Sequence, residues 1–557
     1  MNKNEKLCVG LLVALLVGYL GWNYFAPKPQ PQVAAAVVAP QQSVSTAVTP
    51  VADPAPAIAP QVEMKAATQH YYTLENEQVK LTFSTLGARL VKAELLAYRA
   101  ENKAEATHVV LETGDLLNLK FEGMPAYLTY AVEQKDPQTL IFRTVFASGI
   151  TLERTVTLQK DYALTVSDVF LSAQGTAVMP YTFSVGAFGL TETSGDTLGV
   201  DTLAAGEKKP DYHEGDLAKL LGARSTFLGC GTSSDPTGLP LSGTTSIATA
   251  QRWVALKSRF FTTLVMPPVA APCAYGVTRD VAAKTLQINR VNAEFSYPAV
   301  QLQAGVSTGV VTRIYVGPKM LSGLKTFGDH AERVMDFGMF SWFCELLVPL
   351  LNFFHSLIPN YGVAIILLTL LVRVVFWPLT HKSTVSMRKM SVIQPQIKAL
   401  QAQFKENPQK LQQETFKLYR EHKVNPFSSC LPMLVQIPIF IALFTVLRSA
   451  VELRFSGFLW IADLSQPENL FAGILPVPLN ILPILTSATM ALQTHLSPST
   501  GDPAQKKMMT WMMPIMLLFM FYSMPSALCL YWTVSQVLSI IQMWMIHRQT
   551  AVQTAHA

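Results

Sequence analysis

The feature that most constrains this fold is the clustering of apolar residues into runs long enough to cross a lipid bilayer. Half of the 557 residues are hydrophobic and only 14% are charged, with a mean hydropathy of +0.27, whereas about a quarter of a soluble globular chain is charged. The apolar runs lie at the N-terminus and after residue 336, and a helix needs roughly 20 residues to span a hydrocarbon core. We therefore expect a polytopic α-helical membrane protein with a soluble part between its apolar ends.

The first apolar run, residues 7–25, is long enough to span a bilayer and follows two lysines, which predict a cytoplasmic N-terminus. It is either a cleaved signal peptide or a membrane anchor. We favour an uncleaved anchor over residues 1–25, because Tyr24 and Phe25 stand where signal cleavage needs small residues. Residues 26–62 carry eight prolines among Ala, Val and Gln, a composition that predicts an extended tether.

Residues 63–335 have the pattern of a β domain. Apolar and polar residues alternate, as at Val79, Leu81 and Phe83, and a period of two is typical of half-buried strands in an antiparallel sheet or sandwich. The stretch is long for one sandwich, so we expect a large or doubled β-sandwich. Because it follows the anchor, it should lie outside the cytoplasm.

Residues 336–358 predict an amphipathic helix that lies on the outer leaflet. Glu345 and Pro349 argue against the alternative, a further membrane span. The apolar face of this helix carries Phe343, Leu347, Leu350 and Phe354.

Five further apolar segments predict membrane spans, which make six with the anchor. These are residues 361–380, 430–450, 472–494, 508–524 and 526–546. The segment 381–429 has nine Lys or Arg residues against three Glu, and Lys506 and Lys507 precede the fourth of the five. The positive-inside rule therefore puts both loops, and the short tail 547–557, in the cytoplasm. Arg448 and Arg454 fall on the outer side and run against this rule.

The charged segment 381–429 predicts a cytoplasmic helical hairpin rather than a merely solvated basic loop. Apolar residues recur at helical spacing on both sides of a break at Asn407 and Pro408. Two amphipathic helices of this kind pair antiparallel. The residues expected in their contact are Ile393, Ile397, Leu400, Phe404, Leu411 and Leu418.

No motif points to an enzyme or to a cofactor. The patterns GxxxxGK[ST], GxGxxG and HExxH are absent, and the six cysteines lack CxxC spacing. The GxSxG string at 305–309 precedes a strand-like segment where a nucleophile elbow needs a helix, so it predicts a hairpin turn. Cys230 and Cys273 in the β domain either form a disulfide or remain free buried thiols. The net charge of +6, without a dense basic run, gives no reason to expect nucleic-acid binding.

Arg373 lies within the predicted span 361–380, where an arginine costs roughly 3 kcal/mol on insertion scales. One interpretation is a side chain that snorkels to the cytoplasmic interface. The other is a water-filled recess between helices, since Thr369 lies one turn back on the same face and Gln436 enters the next span to similar depth. Other spans add the polar residues Thr489, Gln493, Ser535 and Gln536. The residue pattern alone leaves both interpretations open.

Several short strings, in order between residues 361 and 546, resemble the YidC insertase family. They are WPLT at 377–380, QP at 394–395, VNPFSSCLP at 424–432, QIPIF at 436–440, DP at 502–503, LYW at 530–532 and SIIQ at 539–542. The anchor, tether, β domain and interfacial helix resemble the long form found in bacteria with two membranes. The chain departs from the usual pattern where Ser428, Ser429 and Ala527 stand in place of glycines.

The resemblance implies a five-helix core around a hydrophilic groove, open to the cytoplasm and to lipid and closed to the outside. It also implies an inner-membrane location with the β domain in the periplasm. The positions that match the family's groove residues are Thr369, Arg373, Gln436, Tyr531 and Trp532.

The function implied by the resemblance is that of a membrane protein insertase. It would pass polar segments of nascent membrane proteins through the groove and release their apolar helices into the bilayer, alone or with the Sec translocon. The ribosome is a further candidate partner, although Arg548 is the one fixed cation of the tail. The alternative from another class is an anion channel or transporter with Arg373 as its selectivity charge, but the spans lack the repeated halves typical of transporters.

Overall fold

The computed structural model describes most of the chain after residue 68. The described residues are 69–103, 105–189, 198–214, 243–279, 288–405, 407–422, 431–474, 478–496 and 508–555. The predicted anchor and tether, Cys230, residues 424–430 and the lysines at 506 and 507 lie outside these ranges. The side chains of the predicted tail also lie outside them.

The β domain consists of antiparallel strands in which buried and half-buried residues alternate. The strands are β1 Tyr71–Glu75, β2 Val79–Ser84, β3 Arg89–Arg99, β4 His108–Leu116, β5 Leu119–Phe121, β6 Ala131–Asp136, β7 Thr139–Val145, β8 Ile150–Leu158, β9 Ala163–Ser172, β10 Ala177–Val178, β11 Tyr181–Gly189, β12 Gly199–Ala204, β13 Asp211–Glu214, β14 Gly243–Lys257, β15 Phe261–Met266, β16 Ala271–Arg279, β17 Ile288–Tyr297, β18 Val300–Gln301 and β19 Ser307–Pro318. The alternation is regular in β8 and β9, whose every second residue is buried, as the period of two predicts.

Two sheets form the sandwich. The smaller has the order β1-β2-β3-β4, and the larger runs β5-β11-β17-β16-β14-β15-β19-β9-β8-β7-β6, with β12 added to β14 and β13 to β12. β4 packs against β11 of the larger sheet. Cys273 in β16 is a buried free thiol. Residues 307–309 are the first three residues of β19, so the GxSxG string runs into a strand and not into a helix.

A buried ion pair within the larger sheet also binds backbone carbonyls next to two strands of the smaller sheet. Arg154 on β8 donates from Nε and Nη2 to both carboxylate oxygens of Asp168 on β9, at 2.6 and 2.9 Å. Its Nη1 also donates to the carbonyls of Ala88 and Leu117, next to β3 and β4. Arg154 is 0% exposed and Asp168 3% exposed. Such a pair is held by its bidentate geometry and further hydrogen bonds, because burial of either charge alone is costly.

Helices make up the rest of the described chain. They are α1 Leu321–Phe327, α2 Ser341–Leu357, α3 Tyr361–Gln403, α4 Pro408–Glu421, α5 Leu431–Ser449, α6 Ile481–Leu496, a π-helix Met508–Met512, α7 Met513–Phe521 and α8 Ser526–Ala555, with 3-10 turns at Ala331–Met335, Gly338–Phe340 and Val451–Leu453. Within the described ranges, three helical stretches are long and apolar enough to cross a membrane, namely Gly338–Leu357, Tyr361–Gln403 and Ser526–Ile546. The predicted combination of a β-sandwich and apolar helices is confirmed, whereas the count of six spans stays a prediction.

Two predicted span bounds differ from the bounds of the helices. The predicted span 361–380 and the first arm of the predicted hairpin 381–429 form one helix, because α3 continues for 43 residues through Pro378 and Pro395. The change from apolar to charged residues at this point marks a change of environment and not the end of a helix. The predicted span 472–494 also starts too early, since the pairing of Leu470 with Leu479 closes an irregular turn ahead of α6.

The predicted interfacial helix corresponds to α2, and it has one packed and one open face. Cys344 and Leu347 are buried, whereas Trp342 is 70% exposed. Glu345 pairs with Lys325 of α1 at 2.9 Å. α2 also satisfies the length and composition of a membrane span, so its position on the outer leaflet stays a prediction that the Glu345 ion pair favours.

We predict that Arg154→Met strongly destabilises the β domain, because Asp168 would remain buried without its partner. The expected loss in the free energy of unfolding is about 3–5 kcal/mol. Pulse proteolysis of the purified protein across a urea series would measure it as a lower midpoint for cleavage within the β domain. Arg143→Met is the matched control, because its guanidinium binds Glu133 and Glu153 at the exposed surface of β7. Equal midpoints for the two variants would contradict the prediction.

Candidate functional site

A polar recess lies between α3, α5 and α8. Its lining residues are Thr369, Val372, Arg373, Phe376, Thr380, Gln436, Ile439, Tyr531 and Ser535. Four of the five predicted groove residues are therefore brought together from helices that are far apart in the sequence.

Hydroxyl groups from α8 connect the polar side chains of the recess. Arg373 donates from Nε to the Ser535 hydroxyl at 3.1 Å, and its Nη2 donates to the same oxygen. Gln436 donates from Nε2 to the Tyr531 hydroxyl at 2.8 Å. Thr369 donates to the carbonyl of Ile365 in its own helix. The recess thus carries a fixed cation and several hydroxyl and amide groups within a largely apolar helical bundle.

Arg373 is held by neutral groups. Within the part of the chain that the structure describes, no carboxylate lies within ion-pair distance of its guanidinium. Arg373 also directs its side chain to Ser535 between the helices, an arrangement that favours the recess over the snorkelling interpretation. The positive charge is therefore available to an acidic group that enters the recess.

A second polar pair continues the recess along the same two helices. Gln542 donates from Nε2 to the Thr380 hydroxyl at 2.9 Å. Thr380 lies seven residues after Arg373 on α3, and Gln542 lies seven residues after Ser535 on α8. Seven residues correspond to about 10 Å along a helix. The sequence analysis did not predict this pair, although Thr380 and Gln542 stand at the same distance in sequence from Arg373 and Ser535.

Trp532, the fifth predicted groove residue, turns away from the recess. Consecutive residues of a helix point about 100° apart, so Trp532 cannot follow Tyr531. Its ring packs instead against Phe440 at 4.9 Å and Phe521 at 5.6 Å. On the next face Thr533 shares a 2.7 Å hydrogen bond with Thr486 of α6. Tyr531 and Trp532 are thus divided between the recess and the interior of the bundle.

The cytoplasmic end of α3 pairs with α4. Ile393 and Ile397 are buried there together with Met390, and Leu418 and Tyr419 of α4 pack against them. The Asn407 side chain accepts a hydrogen bond from the Lys410 amide and Pro408 is the first helical residue, so the predicted break caps α4. The three other hairpin residues of the prediction, which are half-buried, are Leu400, Phe404 and Leu411.

Two family models match the chain in succession. Residues 71–350 match the model described as the YidC periplasmic domain, and residues 353–553 match the model of the 60Kd inner membrane protein. The boundary between the matches falls within α2, which links the β-sandwich to the helical part that contains the recess.

Similar proteins match along almost the whole length. The membrane protein insertase YidC of Pelobacter propionicus is 32% identical, over 98% of this chain and 99% of its own length. The protein of that name from Nitratidesulfovibrio vulgaris is 31% identical over 98% and 99%. A crystal structure of an active YidC insertase with its first transmembrane domain resolved is 19% identical, with a TM-score of 0.34 over 86% of this chain and 92% of that one.

We predict that Ile397→Glu separates α4 from α3, because it places a charge in their small apolar contact. Hydrogen exchange of the amides in Pro408–Glu421 should become faster by about tenfold or more, since a short helix is marginal without packing. Val392→Glu is the control, because Val392 is 76% exposed on the same helix. Unchanged protection of α4 in Ile397→Glu would show that the apolar contact does not hold the pair together.

Proposed function

The chain belongs to the YidC family of membrane protein insertases, and on this basis we propose that polar segments of its substrates pass through the recess around Arg373. The observation that carries this proposal is a cation inside a helical bundle whose described hydrogen-bond partner is a single neutral group, the Ser535 hydroxyl. A polar segment that enters here meets hydroxyl and amide groups instead of bare hydrocarbon. Thr369, Gln436 and Tyr531 are the proposed contacts beside Arg373.

The energetics support insertion without a nucleotide. Once its polar segment has entered the recess, a substrate helix gains about 0.3–0.6 kcal/mol for each Leu, Ile, Phe or Val that partitions into the bilayer. The membrane potential assists acidic residues outward by about 2.3 kcal/mol per charge and 100 mV. Arg373 adds a local attraction for the same acidic residues. The apolar gain and the potential therefore supply the driving force, and the recess lowers the barrier.

The setting of this activity is the inner membrane, with the β domain in the periplasm and nascent membrane proteins as substrates. The insertase family is not a class of enzymes. We further propose that both termini lie in the cytoplasm and that the protein acts alone or beside the Sec translocon. Ribosome contact is proposed to rest on the hairpin of α3 and α4, because the tail is only weakly basic.

An anion channel is the less favoured function. A channel would need a path that continues through the bundle, and the relatives that match along their whole length are insertases. On the outer side of Thr369, the side chains of Ile365 and Leu368 are buried and are not among the residues that line the recess. This arrangement supports a dead-ended recess.

Photo-crosslinkers placed at Thr369 and Gln436 are expected to capture a stalled nascent membrane protein. A crosslinker at Leu370, which is 44% exposed on the outer surface of the same helix, should capture much less. The measurement is the yield of crosslinked substrate in membranes that carry each variant. Equal yields at Leu370 and at the two recess positions would remove the recess from the proposed path.

Arg373→Ala is expected to lower the insertion of substrates with acidic translocated segments by about tenfold, the size expected for the loss of a charge-assisted hydrogen bond. Arg373→Lys should retain more activity, and neutral substrates should be affected less. The measurement is protease protection of inserted substrate in reconstituted vesicles.

Arg388→Ala is the matched control for this test, because Arg388 lies on the same helix and donates to the carbonyl of Ile546 outside the recess. If Arg373→Ala inserted acidic and neutral substrates equally well, the electrostatic part of the proposal would be lost.

A further inference from the structure

Two arginines cross the contact between the β domain and the helices in opposite directions. Arg259, in the turn between β14 and β15, donates from Nε to the carbonyl of Arg448 at 2.7 Å and from Nη2 to the carbonyl of Ser465 at 2.8 Å. Arg454, just after α5, donates to the carbonyls of Arg99, the last residue of β3, and of Ala100, which follows it. The Arg259 guanidinium of the β domain therefore binds backbone carbonyls of the helical part, and the Arg454 guanidinium of the helical part binds backbone carbonyls of the β domain.

The turn that carries Arg259 is tightly fixed. The Ser258 amide donates to the carbonyl of Phe261 at 2.9 Å, and the Phe261 amide donates back to the Ser258 hydroxyl at 3.3 Å. The guanidinium of Arg259 lies 4.7 Å from the ring centre of Phe260. Because the turn and the stem of the side chain are both held, the donors of Arg259 are presented in a fixed direction.

The first acceptor of Arg259 lies at the end of a helix that lines the recess. Arg448 belongs to the last turn of α5, where carbonyl groups lack donors from their own helix and carry partial negative charge. A guanidinium satisfies such a carbonyl with a charge-assisted hydrogen bond. Arg259 therefore acts as a C-terminal cap for α5 that is supplied by the β domain.

The second acceptor leads to α8. Ser465 lies between Leu464, whose carbonyl accepts from the Ala527 amide at 2.9 Å, and Gln466, whose carbonyl accepts from the Ser526 amide at 2.9 Å. These amides belong to the first turn of α8 and need acceptors from outside their helix. Arg259 thus joins the end of α5 to the chain segment that caps the start of α8.

We propose that the turn Ser258, Arg259, Phe260 and Phe261 is a staple that holds the outer ends of α5 and α8 together and keeps the recess closed on its outer side. α5 carries Gln436 and α8 carries Tyr531, whose hydroxyl Gln436 binds. Tyr531 lies five residues, or about 7.5 Å, below the start of α8. A gap between the outer ends of these helices would admit water to the recess. The inference rests on the proposed function only in taking the recess as the substrate path.

Two native thiols report on the staple. Cys529 lies in the first turn of α8, is 1% exposed and donates to the carbonyl of Phe521 at 3.7 Å. Cys273 lies in β16 and is 2% exposed. Burial raises the pKa of the Cys273 thiol to about 12, so it stays unreactive while the β domain is folded. Cys529 therefore reports on the outer ends of the helices, and Cys273 on the β domain.

The test is the labelling of the full-length protein, in spheroplasts, with a membrane-impermeant maleimide, and quantification of each labelled cysteine peptide by mass spectrometry. Arg259→Ala should raise the labelling rate of Cys529 by about tenfold, the change in local opening expected when charge-assisted hydrogen bonds are lost. Cys273 should remain protected. Arg252→Ala is the matched control, because the Arg252 guanidinium binds Asp329 within the same domain at 3.1 Å, and both thiols should stay protected.

Continued protection of Cys529 in Arg259→Ala would overturn the proposal. If Arg259→Ala exposed Cys273 as well, Arg259→Met would decide, since it keeps the apolar stem and removes the donors. Labelling of Cys529 alone in that variant supports the staple, whereas protection of both thiols, or labelling of both, overturns it. The readout is thiol accessibility and not the insertion of a substrate, so its failure leaves the insertase proposal standing, and a failure of the insertion tests leaves the labelling result intact.

Discussion

A guanidinium within a membrane-spanning helix needs polar neighbours, because an arginine at the centre of a bilayer costs roughly 3 kcal/mol even on insertion scales. Here α8 supplies them. Ser535 accepts from two nitrogens of Arg373, and Tyr531 accepts from Gln436. α3, α5 and α8 therefore meet around polar groups that lipid tails cannot satisfy. Interhelical hydrogen bonds in membranes contribute only about 0.6 kcal/mol each, so this junction can part when a polar chain enters.

The register of α8 decides which helix meets which group. Tyr531 binds Gln436 of α5, Thr533 binds Thr486 of α6, and Ser535 binds Arg373 of α3. Successive residues of a helix are rotated by about 100°, so a rotation by one residue would break all three contacts together. The first turn of α8 fixes this rotation, because its amides bind the carbonyls of Leu464 and Gln466. The segment between α5 and α6 that contains Leu464 and Gln466 therefore helps to position the recess.

The sequence predicts the architecture well where one physical property decides it. Alternation predicts the strands of the sandwich, and the similar depths of Thr369, Arg373 and Gln436, counted from the helix ends, made a shared recess one of the two interpretations of Arg373. The continuation of α3 past residue 380 was missed, because hydropathy reports where a chain leaves lipid, whereas helix continuity depends on backbone hydrogen bonds that persist among charged residues.

The rotation of a helix about its axis and the pairing of residues far apart in the sequence cannot be predicted from local sequence patterns. Tyr531 and Trp532 are adjacent aromatic residues of similar polarity, and no periodicity in the sequence says which of the two faces Gln436. The partnership of Arg373 with Ser535 joins positions 162 residues apart, and it depends on how α3 and α8 pack. The departures at Ser428 and Ser429 lie outside the described residues. Local patterns therefore name candidate groups, and tertiary packing selects among them.

The arginine at position 454 runs against the positive-inside rule, and its environment explains why it is tolerated. The rule concerns charges near the ends of spans that remain in water beside the membrane. Arg454 is instead 8% exposed, and its guanidinium binds the carbonyls of Arg99 and Ala100. Its charge is therefore satisfied by the folded β domain, which lies on the outer side. Arg454 therefore breaks the rule at a place where the β domain packs against the helices.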